Sequence, residues 1–167
     1  MIKVYQTIVD KNHGNCMQAA IATLFSRKLE EVPNFIELDS WFSALCKTAI
    51  DNGYDYEGML HNKNYTRLWH PTDECFKKGR WHRPSIMTKK ALYKHEGVNG
   101  LFYAAVLSPN NFNWGEGIMA THAVIIDRDY NVVFDPNHQY DNILEYPLKS
   151  LLGYNGIINV DIINPIK

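Results

Sequence analysis

Cys16 stands where a thiol can be made into a nucleophile. It follows a polar, turn-forming run, Asp10-Lys11-Asn12-His13-Gly14-Asn15, and it heads the apolar stretch MQAAIATLF. The thiolate is the reactive form of cysteine, and the free N–H groups and macrodipole of a helix N-terminus favour it. A neighbouring imidazole completes the activation by taking the proton, and a third group fixes the direction of the ring. The sequence supplies candidates for both far downstream. His122 opens the strand-like run THAVII, and Asp135 ends the next one, NVVFD. If the two runs pair as a hairpin across Asp127-Arg128-Asp129-Tyr130, their outer ends meet and the carboxylate reaches the imidazole. The chemistry expected of such a set is attack on an amide, isopeptide or thioester carbonyl.

These side chains need elements to hold them. Ile2 to Ile8 reads as a short strand or an extended lead-in. From Cys16 onward, Ala19, Ala20, Ile21, Ala22, Leu24 and Phe25 leave little polar face, the pattern of a helix buried on nearly all sides. Asn15 is its expected N-cap. Asp39 to Asn52 reads as a second helix, capped by Asp39 or Ser40 and stopped by Gly53, with Trp41, Leu45 and Ile50 on its apolar side. Tyr54 to Leu60 reads as a strand. In the last third, Leu101 to Leu107, Thr121 to Ile126, Asn131 to Phe134 and Ile157 to Ile163 are rich in β-branched and aromatic residues and predict an antiparallel sheet. Pro147 to Leu152 reads as a short helix. A buried N-terminal helix followed by a C-terminal antiparallel sheet makes an α+β domain.

The ordered motifs resemble a known group. Gly14-Asn15-Cys16-Met17-Gln18-Ala19-Ala20, followed by Glu31-Val32-Pro33-Asn34-Phe35, is similar to the opening of bacteriocin-processing cysteine peptidases. It looks closer still to small bacterial and phage proteins of that papain-like type. In those, a GDC or GNC nucleophile helix precedes a VPHF-like segment, a serine-proline turn, a HAVV-like strand and a DPHPS-like stretch. Here Ser108-Pro109, His122-Ala123-Val124-Ile125 and Asp135-Pro136-Asn137-His138 come in the same order. The resemblance covers most of the chain outside residues 61–95. It implies a papain-like fold with Cys16 as nucleophile, His122 as general base and acid, and Asp135 as the orienting group. It also implies a glutamine whose amide helps to form the oxyanion hole. Gln6 is the candidate, although its distance from Cys16 is longer than the usual pattern; the backbone N–H of Cys16 would be the second donor.

Other features invite blander readings. Cys46 falls on the apolar side of the second helix and reads as a core residue. Asp135-Pro136 is also a common way to begin a turn. Asn15, Trp114 and His138 are expected to line the cleft, while His138 equally suits a solvated turn. Trp114 lies in a loop whose Gly115 and Gly117 would let it move as a cover. His61, His70, Cys75 and His82 are zinc-ligand types, but their spacing matches no paired-ligand motif, so no metal or other cofactor is expected. The same stretch, about 61–95, is basic and aromatic-rich and reads as an insertion into a single domain spanning 1–167. Its lysines and arginines, interleaved with Tyr65, Trp69, Phe76 and Trp81, suit either a solvated face or an anionic ligand such as nucleic acid.

Composition sets outer bounds. A chain of 167 residues can bury roughly two-thirds of its unfolded surface, enough for a core without disulfides or metal. Seventeen basic against eighteen acidic residues give no overall pull toward nucleic acid or an acidic membrane. No apolar run approaches the roughly 20 residues of a membrane span, and the first residues lack a signal-like apolar region. Three cysteines without scaffold spacing suit a reducing compartment, so a cytoplasmic location in a bacterium or phage-infected cell is expected. The expected partner is a peptide, protein or small amide substrate. The rival expectation is a catalytically idle papain-like module, phage-encoded and directed at a host component.

Overall fold

The computed structural model describes residues 1–9, 14–68, 85–113, 118–137 and 145–167, with only the backbone of 66–68, 110–113 and 118–120. The fold is α+β. Among the described residues the α-helices are α1 (Cys16–Leu24), α2 (Trp41–Asp51), α3 (Lys63–Leu68) and α4 (Lys149–Leu152). Among the described residues the strands are β1 (Tyr54–His61), β2 (Ser85–Ile86), β3 (Phe102–Asn113), β4 (Ile118–Ile126), β5 (Val132–Phe134) and β6 (Ile157–Pro165). They form one sheet in the order β2-β1-β6-β3-β4-β5. The β1–β2 pair is parallel and every other pair is antiparallel, so the sheet is mixed rather than wholly antiparallel as expected.

Alternation along the strands sorts the core into two layers. Tyr103, Ala123, Ile125 and Ile163 pack with Ile21, Leu24, Phe35, Leu45 and Ala49 on the side of α1 and α2. Phe102, Ala104, Val124, Ile126 and Val160 face the other way, beneath Met87, Leu92, Tyr130 and Tyr146. Each fully buried Ile21, Phe35 or Leu45 side chain contributes about 1.5–3 kcal/mol relative to exposure. The helix of small residues, with Ala19, Ala20 and Ala22 all buried, lets α1 lie close against β4 and β3, while α2 packs on β1. Among the described residues no helix is long and apolar enough to cross a membrane.

Several local expectations need correction. Ser40 holds the cap position of α2 but makes no side-chain capping bond. Ile50 is 54% exposed; Leu45 and Ala49, one turn apart, define the buried stripe and leave Ile50 about 100° outside it. Cys46 flanks that stripe and is half-buried. Gly53 does end the helix, at φ +86°, where a side chain would be strained. The second strand of the proposed hairpin pairs as expected, with Ile125 opposite Phe134, but β4 starts at Ile118, so His122 lies inside a strand rather than at its head.

Both described ends of the 61–95 stretch are part of the fold. Tyr65, Met87 and Leu92 are buried, and β2 extends the sheet beside β1. The turn into β3 depends on Gly97, at φ +65°, where an added Cβ would come within 2.7 Å of the Leu101 carbonyl oxygen. Its N–H donates to Asn164 Oδ1 at 2.9 Å and so ties the start of β3 to β6.

Candidate functional site

The head of α1 is clamped from outside the helix. Asn15 occupies the cap position, yet its side chain makes no bond to its own helix N–H groups. Its Oδ1 instead accepts the N–H groups of Thr7 and Ile8, at 3.0 and 2.9 Å. Its Nδ2 donates to Thr7 Oγ1 and to Gln18 Oε1, both at 3.1 Å. Gln18 continues the chain by donating to the carbonyls of Leu29 and Val32. Asn15 is 2% exposed, so the residue expected to line the cleft serves as an internal strut that fixes where Cys16 begins the helix. The first intrahelical bond runs from Ala19 N–H to the Asn15 carbonyl. The N–H groups of Cys16, Met17 and Gln18 thus fall outside the helix's own pattern.

A short neighbour exposes the edge of β4. Pairing with β5 covers Ile125 and Ile126 only, so the strand edge beside His122 and Ala123 is left to other partners. Cys16 occupies it. Its thiol is hydrogen-bonded to His122 and to the backbone N–H groups of Ala123 and Met17. His122, 5% exposed, is bonded through Nε2 to Asp135 Oδ1 at 2.6 Å, which leaves Nδ1 to face the sulfur. Asp135 lies just beyond the end of β5 and is 6% exposed. Its Oδ1 also accepts the Asn137 N–H at 2.9 Å, and its Oδ2 accepts the Tyr146 hydroxyl at 2.7 Å. Three donors therefore hold the carboxylate that holds the ring.

Electrostatics favour charge on both members of the Cys16–His122 contact. Burial acts to raise the Cys16 thiol, but the His122 hydrogen bond and charge, with the Ala123 and Met17 N–H groups, hold it below its ordinary value. Burial pushes His122 down, while its bonds to Asp135 and Cys16 carry it up to about 9. A depressed thiol beside a raised imidazole favours a thiolate–imidazolium pair, and two groups so close titrate as a unit.

Comparison with protein-family models, curated proteins and solved structures finds no match for the chain.

The structure thus brings Cys16, His122 and Asp135 into one contact set. Gln6 comes near it through its backbone, whose N–H donates to the Pro136 carbonyl at 2.9 Å. Its side chain is turned elsewhere, with Nε2 donating to the Ile8 carbonyl and Oε1 buried without a partner. Trp114 and His138 lie outside the described residues, as do His70, Cys75 and His82 and most of the basic stretch. Among the described residues no three His, Cys, Asp or Glu side chains gather as a metal site. Tyr146 is the member that sequence reasoning missed. It sits eleven positions beyond Asp135, in a stretch with no periodicity or motif, and only the folded chain brings its hydroxyl to the carboxylate.

Proposed function

We propose that the protein is a cysteine-dependent hydrolase or acyl transferase of papain-like design, acting on an amide, isopeptide or thioester bond. The observation that carries this reading is the continuous contact from the Cys16 thiol through His122 to Asp135, with the thiol lowered and the imidazole raised. In the reaction so read, the Cys16 sulfur attacks the substrate carbonyl carbon. The Cys16 N–H, outside the helix's own bonds, stabilises the oxyanion. His122 passes its proton to the departing amine or thiol, leaving a thioester on Cys16. Water or an amine, losing a proton to His122, then attacks that thioester and regenerates the thiol pair.

A second reading, a papain-like binding module without turnover, is favoured by one observation. Gln6 spends its amide donor on Ile8 instead of presenting it beside Cys16. Iodoacetamide labelling near neutral pH separates the two. The enzyme reading expects Cys16 to react about tenfold or more faster than Cys46, and His122→Ala to remove that advantage. Equal rates for the two thiols, indifferent to His122→Ala, would leave the binding module.

A further inference from the structure

Residues 4–8 form no helix or strand, yet each of them is anchored. The Val4 N–H donates to Thr23 Oγ1 at 2.8 Å, and that hydroxyl donates back to the Val4 carbonyl at 3.3 Å. The Tyr5 ring meets Phe134 edge to face, with centroids 5.2 Å apart. The Gln6 N–H donates to the Pro136 carbonyl at 2.9 Å. Thr7 and Ile8 give their N–H groups to Asn15 Oδ1, and the Ile8 carbonyl accepts the Asn15 N–H at 3.2 Å.

The anchors are not scattered. Phe134 and Pro136 stand on either side of Asp135, and Asn15 immediately precedes Cys16. One short segment therefore grips both neighbours of the orienting carboxylate and then the residue before the thiol. It also runs against the direction of α1, from Thr23 near the far end to Asn15 at the head. The helix rises about 12 Å between those two residues. Val4 to Ile8, when extended, spans about 13 Å, so the two lengths match.

Core packing of Ala20, Ile21 and Leu24 holds α1 on the sheet. Apolar burial is non-directional, however, and small side chains leave the helix room to slip along its groove. A reactive constellation has to be held within about 0.5 Å. Hydrogen bonds, which weaken steeply with distance and angle, supply that precision. Thr7 and Ile8 are exposed and belong to no strand ladder, so this segment can open without unfolding the sheet.

We propose that residues 4–8 are a clasp that positions the Cys16 end of α1 against His122 and Asp135, with Thr23 as its anchor. Thr23 is then a positioning residue, fully buried and about 10 Å along the helix from Cys16. The proposal rests on the reading of Cys16 as a nucleophile, and it makes the reactivity of that thiol depend on whether the clasp is closed.

Iodoacetamide labelling of the full chain tests it. Thr23→Val keeps the shape of the side chain and removes both bonds to Val4. Cys16 in that variant should react about fivefold more slowly at pH 7, in the range of one lost hydrogen bond, while Cys46 keeps its rate. The pH of half-maximal Cys16 labelling should rise toward the ordinary 9.0. Thr23→Ser retains the hydroxyl and should recover most of the rate. Thr7→Val, at an exposed position, removes the Oγ1 acceptor of Asn15 Nδ2 and should slow Cys16 about twofold. Parental rate and pH dependence in Thr23→Val, or slowing that Thr23→Ser does not reverse, would overturn the clasp. Slowing matched by faster labelling of Cys46 would also overturn it, because the whole fold would then have loosened. If Cys16 of the unaltered chain does not outpace Cys46, the nucleophile reading itself falls, and the clasp falls with it.

Discussion

Cys16 and Cys46 are both half-buried thiols on helices, yet the chain treats them in opposite ways. Burial raises both. Cys16 sits at the head of α1, where N–H groups point outward and His122 lends a hydrogen bond and a charge. Cys46 sits within α2, where its own helix bonds are closed and the carboxylates of Asp55 and Asp161 add to the effect of burial. Identical side chains thus diverge because of position along a helix and the sign of the nearest charge. Removing what distinguishes the two should make Cys16 behave like Cys46.

The deepest break is Asp135→Ala. It strips the acceptor from His122 Nε2, the Asn137 N–H and the Tyr146 hydroxyl at once. Breaking a buried charged contact from one side costs about 3–5 kcal/mol, to be read from urea unfolding. Cys16 labelling should fall toward the Cys46 rate in the same variant. Asp135→Asn, which can still accept the His122 proton, should keep most of the stability while lowering the His122 pKa from about 9, as followed by NMR of the ring. An unchanged ring pKa would show that the carboxylate charge is not what raises it.

Tyr146→Phe is the milder test. It deletes one hydrogen bond to a buried carboxylate and should cost about 1.5–3 kcal/mol in urea unfolding. A variant as stable as the parent would mean that the hydroxyl contributes nothing to holding Asp135. The smallest effect approaches the comparison from the other side. Asp55 is exposed, so its influence on Cys46 is screened by solvent, and Asp55→Asn should speed Cys46 labelling only about twofold. Any change at Cys16 in that variant would contradict the separate treatment of the two thiols.

Much of this arrangement could be read before the fold was known, for identifiable reasons. The apolar run after Cys16 has no polar face, so a buried helix was the natural reading, and α1 begins at Cys16. The runs flanking Asp127-Arg128-Asp129-Tyr130 pair as β4 and β5, and that pairing carries Asp135 to His122. Other features are set by contacts with no local signature. Asn15 looked like a cap but braces Thr7 and Ile8, because the lead-in strand-like segment returns over the helix head. Ile50 looked like a core residue, although the buried stripe of α2 is set by Leu45 and Ala49. The parallel β2 is two residues long and has no period to detect. The Tyr146 contact depends on long-range folding, which the spacing of residue types does not encode.

Titration of the thiolate tests the central claim most directly, using the ultraviolet absorbance difference between the protein and its Cys16→Ser variant. The folded Cys16 pKa lies below the ordinary 9.0, so its contribution to stability is present above 9.0 and is lost as pH falls through the folded value. His122, raised from 6.5 to about 9, contributes fully below 6.5 and loses that contribution as pH rises through about 9. The ion pair therefore spans the window between the lowered thiol and about pH 9. The account predicts a Cys16 thiolate already present below pH 9 and shifted upward by His122→Ala; a thiol that titrates at or above Cys46, with no response to that substitution, would contradict it.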